Sequence, residues 1–200
     1  MQNQRTHSHG EIPTQGSTIA SDRMLSGCVV FADASRECNK IPGPTGIPAT
    51  GIGVFIKNEA VGNQYSIMIQ AATSLTSSVL AEAKALLLAA EITRLLNIDR
   101  PKLLTDNLTL AKVTASRQLV HPLVHWDTRD DLANLFMLNS RSSAQVFHIR
   151  RDLNGVAHNC AHQALRHCHK QPIFSCVNLA HQTGHCPVLS VLNSSLLQAM

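Results

Sequence analysis

Charged residues are scarce in this chain, at 15% of 200 residues. Chains that stay disordered through self-repulsion carry more charge and fewer apolar residues, so this scarcity excludes a polyelectrolyte as the main body of the protein. Lysine and arginine outnumber aspartate and glutamate by only 17 to 13, and no dense basic stripe occurs. The charge therefore permits a nucleic-acid partner without demanding one.

Long apolar runs are also missing. Even the apolar stretch that includes Leu86 to Ala90 lies between charged side chains, and it is far too short to span a membrane. The first residues, MQNQRTHSHG, lack the apolar core of a secretory signal peptide. We therefore expect an intracellular protein, in the nucleus or the cytoplasm and without a membrane partner. Its six cysteines are then expected to be reduced thiols.

The chain also lacks the residue spacing of a zinc finger. The C-terminal part of the chain is rich in histidine and cysteine, but it has no Cys-x-x-Cys pair and no interval that fits a common finger. Several of these residues also lie inside a predicted helix, so the pattern argues against zinc. The residues concerned are His162, His167, Cys168, His169, Cys176, His181, His185 and Cys186.

The residues that are present suit one domain with tails, because 44% of them are hydrophobic, enough for a core. Residues 1–26 are polar and predict a flexible leader. Residues 27–169 carry the regular patterns and predict the domain. Residues 170–200 match nothing, and their apolar stretch VLSVLNSSLLQAM is open to three interpretations: packing on the domain, binding a partner, or disorder.

The patterns within the domain predict the order β-β-β-α-β-α-α-β-α, an α/β fold with a five-stranded mixed sheet flanked by helices. The first three strands are expected to be antiparallel and the later ones parallel. Asp152 or Asn154 is expected to cap the last helix, and Trp126 to lie on the apolar face of the third. The strands are predicted at 27–35, 51–58, 64–70, 102–106 and 144–150, the helices at 75–97, 107–118, 124–140 and 152–169, with a Pro/Gly-rich loop at 36–50.

Three acidic residues occupy places where ligands collect. Asp33 lies near the end of the first predicted strand, Asp106 at the end of the fourth, and Glu82 early in the long helix among alanines. Glu91, nine residues after Glu82, falls on the opposite side of that helix, so one glutamate can face a site while the other faces water. An acid in any one of these places is more often a turn residue, a helix cap or a solvated side chain than part of a site. Their joint placement in this order of elements favours a shared site.

Five short segments carry a resemblance to a known family. They are FADAS (31–35), GIGVFI (51–56), AEAKALLLAAE (81–91), LLTDN (103–107) and VFHIRRDLNGVAHNCA (146–161). In this order and spacing the chain resembles the ribonuclease H-like domains of plant retroelement-derived proteins, which are related to the ribonuclease H segments of reverse transcriptases. The resemblance implies the ribonuclease H-like fold over residues 27–168.

The resemblance also implies a mechanism. Family members hydrolyse the RNA strand of RNA–DNA hybrids, with carboxylates holding two Mg²⁺ ions, and the positions that match are Asp33, Glu82 and Asp106. The RNA strand would be distinguished by its 2′-OH. Ser35, Asn107 and Asn154 are candidate substrate-binding residues, with helix capping as the alternative for both asparagines.

His158 is the main departure from the family pattern, because it stands where many relatives carry a fourth aspartate. As a candidate metal ligand and catalytic residue it removes one negative charge, so we expect a weaker second metal or tolerance of Mn²⁺ in place of Mg²⁺. The alternative is that His158 merely lies on the solvated face of the last helix. Three functions stay open: an active hybrid-specific endonuclease, a weak or inactive nucleic-acid-binding module derived from a retroelement, and a protein-interaction domain.

Overall fold

The computed structural model describes residues 14–36, 50–60, 64–75, 77–119, 125–167, 171–178, 181 and 186–197. Its regular elements are seven strands and five α-helices, joined by short 3₁₀ turns. The strands are β1 (Thr18–Ile19), β2 (Cys28–Arg36), β3 (Thr50–Asn58), β4 (Tyr65–Thr73), β5 (Lys102–Thr105), β6 (Gln145–Ile149) and β7 (Ile173–Cys176). The helices are α1 (Ser78–Leu95), α2 (Leu108–Ser116), α3 (Arg129–Ser142), α4 (Gly155–His167) and α5 (Pro187–Leu197).

All seven strands belong to one mixed sheet, in the order β1-β6-β5-β2-β3-β4-β7. β2, β3 and β4 are antiparallel neighbours, whereas β5 runs parallel to β2, and β6 parallel to β5. This confirms the mixed α/β sheet expected from the sequence. The expected number of five strands is wrong, because β1 and β7 add one strand at each edge. Both are short edge strands, which leave too few residues for an alternating pattern.

Part of the expected flexible leader lies on the sheet. The amide of Gly16 donates to the carbonyl of Val146, and the side chains of Thr18 and His148 are hydrogen bonded at 2.8 Å. Ile19 is buried beside the sheet, with 1% of its surface exposed. Residues 1–13 lie outside the described part of the chain. The domain limits at residues 27 and 169 therefore stay a prediction, and they leave out both edge strands.

The sheet is covered on both faces. In β2 the side chains alternate, so that Val30 and Ala32 pack into a core with α1, while Val29 and Phe31 pack into a second core with Ala157 of α4. Alanines along α1 leave little side chain between helix and sheet, which lets the helix backbone come near the strands. Because α1 and α4 cover opposite faces, a side chain from each helix can reach β2.

Two helix predictions need correction. Trp126 forms a short 3₁₀ turn ahead of α3 and is 72% exposed, whereas Leu132 and Leu135 of α3 are buried as expected. Neither Asp152 nor Asn154 caps the last helix, since both belong to a 3₁₀ turn that runs directly into α4. The expected loop at 36–50, apart from its two end residues, and the expected start of the third helix at residue 124 lie outside the described residues. Among the helices described, none is long and apolar enough to cross a membrane.

Two glycines of β3 let α4 approach the sheet at backbone distance. A Cβ atom at Gly53 would lie 2.1 Å from the carbonyl oxygen of Ala157, and one at Gly51 would lie 1.9 Å from that of Ala161. Both neighbours are backbone atoms of a helix and cannot rotate away. The glycines therefore set the height of α4 above the sheet, and with it the position of every side chain that α4 directs inward.

Replacing Gly53 by alanine is expected to lower the free energy of unfolding by about 2–3 kcal/mol, because the added methyl group overpacks the contact with α4. Urea unfolding followed by circular dichroism measures the change. Gly155→Ala is the matched control, since a Cβ there meets nothing within 4 Å and its φ of −57° is already helical. Equal stabilities of the two variants would contradict the proposed role of Gly53.

Candidate metal centre

Strand pairing brings two of the acids to the same edge of the sheet. β2 and β5 are parallel, with Phe31 paired to Leu104, so the positions two residues further on are Asp33 and Asp106. Asp33 is buried within β2, with 3% of its surface exposed. Asp106 follows the last residue of β5 directly and precedes Asn107, the N-cap of α2. The two aspartates are thus neighbours because of the register of the sheet.

Glu82 reaches this edge from α1. It lies in the second turn of the helix, where burial raises the pKa of its carboxyl group and the nearby backbone amide of Ala34 opposes that rise. Its oxygen Oε2 is buried and has no hydrogen-bond partner among the described residues. Glu91 lies on the exposed side of α1, as expected from its spacing. A buried carboxylate oxygen without a partner is costly, and a bound cation would remove that cost.

The three carboxylates converge. One oxygen each of Asp33, Glu82 and Asp106 lies within 4.8 Å of the other two. Carboxylate oxygens are hard ligands of the kind preferred by Mg²⁺ and Ca²⁺, and Mg²⁺ binds through one or two carboxylates while keeping several waters. The donor set and the unpartnered Oε2 of Glu82 therefore fit a divalent cation of that class.

The electrostatics of the cluster disfavour a state in which all three carboxyl groups are charged at the same time. Burial, together with the charges of Asp33 and Asp106, raises the pKa of Glu82 to about 9. Burial is also the main cause that raises the pKa of Asp33, and the charge of Asp106 adds to it. A divalent cation would stabilise the charged carboxylates, since positive charge nearby favours the ionised form.

His158 contacts the cluster through Asp33. It lies in the first turns of α4, and its Nδ1 is 2.6 Å from Oδ2 of Asp33. In a neutral ring this bond places the proton on Nδ1 and leaves the lone pair on Nε2. The hydrogen bond opposes the raised pKa of Asp33. His158 is therefore a partner of Asp33 in this structure, and the set of mutually close ligand atoms contains the three carboxylates without it.

The three candidate substrate-binding residues are in different situations. Ser35 is buried on the same side of β2 as Asp33, two residues further along the strand. Asn107 accepts a hydrogen bond from the amide of Leu110 and so caps α2, which was the alternative for that residue. Asn154 is fully buried, and its Nδ2 donates to the carbonyl of Ala32. Asn154 therefore connects the 3₁₀ turn ahead of α4 to β2, and its role in substrate binding stays a prediction.

Arg151 is a residue of the site that the sequence reasoning missed. It is exposed on the 3₁₀ turn after β6. Burial raises the pKa values of Asp33 and Glu82, and the charge of Arg151 opposes that rise. An arginine in a surface turn gives no signal of its own. The available signal was topological, because β6 runs parallel to β5 and its end therefore reaches the same edge as Asp106.

Ribonuclease H domains are among the solved structures to which this fold is similar. The N-terminal RNase H domain of a Mycobacterium tuberculosis protein, solved as a fusion with maltose-binding protein, is 17% identical and has a TM-score of 0.57 over 72% of this chain and 96% of that one. RNase H1 from the archaeon Halobacterium salinarum is 18% identical, with a TM-score of 0.56 over 70% and 98%. LC11-RNase H1, solved in complex with an RNA/DNA hybrid, is 19% identical, with a TM-score of 0.56 over 70% and 98%.

Sequence comparison identifies the family. No curated protein matches the chain significantly. The model of the reverse transcriptase-like family matches residues 45–164, which include Glu82, Asp106 and His158, whereas Asp33 precedes the matched segment. This match extends over more than half of the 200 residues. The chain therefore belongs to the reverse transcriptase-like family and has the ribonuclease H-like fold.

Proposed function

We propose that this protein is a metal-dependent endonuclease that hydrolyses the RNA strand of RNA–DNA hybrids. The observation that carries the proposal is the convergence of Asp33, Glu82 and Asp106 within 4.8 Å, together with a buried oxygen of Glu82 that has no hydrogen-bond partner in the described part of the chain. A set of this kind is expensive to maintain in a fold unless a cation occupies it. The RNA/DNA hybrid present in one solved relative adds the choice of substrate.

The roles of the residues follow from their positions. Asp33, Glu82 and Asp106 would hold Mg²⁺, with Mn²⁺ as the alternative ion. The bound metal would supply an activated water and stabilise the leaving oxygen of the phosphodiester. His158 would hold Asp33 in place through its Nδ1–H. His158 and Ser35 need not recognise the bases, because a nuclease of this kind contacts the sugar and phosphate groups of its substrate.

Arg151 adds a reason to expect an anionic substrate. Its guanidinium is exposed and close enough to Asp33 and Glu82 to lower their pKa values. A guanidinium pairs well with a phosphate, often through two parallel hydrogen bonds. We assign to Arg151 a contact with the substrate phosphate nearest the metal. Asn107, at the start of α2, is a further candidate for a contact with the substrate.

The proposal is tested with a labelled RNA–DNA hybrid in Mg²⁺ or Mn²⁺, beside duplex DNA and single-stranded RNA of the same sequence. The expected result is metal-dependent cleavage of the RNA strand in the hybrid alone. Asp106→Asn should lose this activity, and Asp99→Asn, which changes an 80% exposed side chain, should retain it. Cleavage that is equal in the two variants would exclude the carboxylate cluster as its source.

A second candidate is a nucleic-acid-binding module with little catalysis, derived from a retroelement. The observation that favours it is the pairing of His158 with Asp33, which replaces the charge of a fourth acid by a hydrogen bond. Such a module would bind the hybrid without cleaving it. The expected plant origin and the location in the nucleus or cytoplasm stay predictions under either candidate.

Replacing His158 by aspartate distinguishes the two candidates. The new carboxylate restores a fourth negative charge beside Asp33, so Mg²⁺-dependent cleavage is expected to rise, on the order of tenfold, if residue 158 limits metal binding. His158→Asn is the control, since it keeps a polar side chain without adding charge. Single-turnover rates over a range of Mg²⁺ concentrations provide the measurement, and identical metal dependence of the two variants would mean that residue 158 is not a metal ligand.

A further inference from the structure

We propose that Cys176, His181 and Cys186 form a zinc site that fastens the C-terminal segment to the edge of the sheet. One ligand atom of each lies within 4.8 Å of the other two. Sγ of Cys176 is 3.4 Å from Nδ1 of His181. Both cysteines are free thiols, and Cys186 is buried, with 6% of its surface exposed. The spacing of the eight histidines and cysteines in the C-terminal part argues against a zinc finger, but three of them lie close together in the folded chain.

The donor set selects the metal. Two thiolates and one imidazole are soft or borderline ligands, which suit Zn²⁺ and do not suit Mg²⁺. Zinc with three protein ligands completes its tetrahedral shell with a water or another donor. The site is therefore chemically distinct from the carboxylate cluster.

The two sites are also separated by the sheet. β7 pairs with β4, which pairs with β3, which pairs with β2, so three strand spacings lie between Cys176 and the strand of Asp33. At about 4.8 Å for each spacing this is on the order of 14 Å. A metal at one site therefore does not share ligands with a metal at the other, and the zinc proposal does not rest on nuclease activity.

Two of the ligands lie at the ends of regular elements. Cys176 ends β7, and the next residue, Val177, donates its amide to the carbonyl of Ser66 in β4. Cys186 immediately precedes α5, and its carbonyl accepts the amide of Ser190. Leu192 of α5 is fully buried in the main core. Zinc at this point would tie the edge strand to the start of the helix, so that α5 remains on the domain.

The test measures zinc in the full chain purified under reducing conditions and dialysed against buffer with Mg²⁺. We expect about one zinc per chain by elemental analysis, and Co²⁺ substitution should give a thiolate-to-cobalt charge-transfer band. Cys176→Ser, His181→Asn and Cys186→Ser should each reduce bound zinc to about a tenth or less. Cys160→Ser and His125→Asn change the same residue types elsewhere and should retain it.

Two outcomes would overturn the proposal. One is a wild-type chain that binds no zinc and gives no charge-transfer band with Co²⁺. The other is a disulfide between Cys176 and Cys186 found by mass spectrometry in the reduced preparation. The measurement on wild-type protein stands even if a variant fails to fold. Because the readout is metal content, failure here leaves the nuclease assay untouched, and the reverse also holds.

Discussion

Asp33→Asn is expected to reduce Mg²⁺-dependent cleavage of the hybrid by about a thousandfold or more. Asparagine keeps the size of the side chain and can still pair with His158, but it removes the negative charge that a cation needs. Losing several kcal/mol of metal-mediated stabilisation of the transition state corresponds to a loss of this order, since each 1.36 kcal/mol is tenfold. Single-turnover cleavage of labelled hybrid at saturating enzyme provides the measurement.

Asp130→Asn serves as the control for this experiment. Asp130 is exposed on α3, and the change is chemically identical. Near-wild-type cleavage by this variant would tie the loss to the position of Asp33. A hybrid-cleaving Asp33→Asn protein, free of contaminating nuclease, would instead remove the basis for the proposed function.

Glu82→Gln is expected to stabilise the metal-free protein at pH 7, by roughly 1–3 kcal/mol. The folded chain keeps a proton on Glu82 because burial and the neighbouring charges of Asp33 and Asp106 raise its pKa to about 9. Glutamine is neutral at every pH, and its amide group can donate to the two aspartates. The variant should therefore gain stability while losing metal-dependent activity.

The dependence of this effect on pH has a definite sign. Glu82 binds its proton more tightly in the folded chain than in the unfolded chain, whose pKa has the ordinary value of 4.5. The folded state consequently loses stability as the pH rises from about 4.5 towards about 9. Glu82→Gln should flatten that decline, and Mg²⁺ should reduce it in the wild type, because the ion replaces the proton.

Urea unfolding between pH 5 and pH 9, with and without Mg²⁺, measures the prediction. Glu59→Gln is the control, since Glu59 is exposed and forms a surface ion pair with Lys57. Parallel stability curves for wild type and Glu82→Gln across this range would show that Glu82 does not keep a proton in the folded chain.

Much of the architecture could be predicted from the sequence because the central elements carry periodic patterns. β2 to β6 and α1 to α4 lie within a few residues of their predicted positions, and Asp33, Glu82 and Asp106 meet as expected. Strand ends and a helix face are local features, so their approximate positions can be deduced without knowing the packing. The same patterns predicted the order of the elements and a shared site for the three acids, and the family resemblance added the expectation that this site holds metal ions.

The sequence alone determined the mixed α/β sheet and the identity of the three converging acids, since both depend on short-range patterns. Only the tertiary structure decided the two edge strands, the burial of Asn154, the pairing of His158 with Asp33, and the meeting of Cys176 with His181 and Cys186. These features depend on which backbone lies beside which, as set by strand pairing and by the close approach of α4 to Gly51 and Gly53. Contacts of that kind leave no periodic trace along the chain.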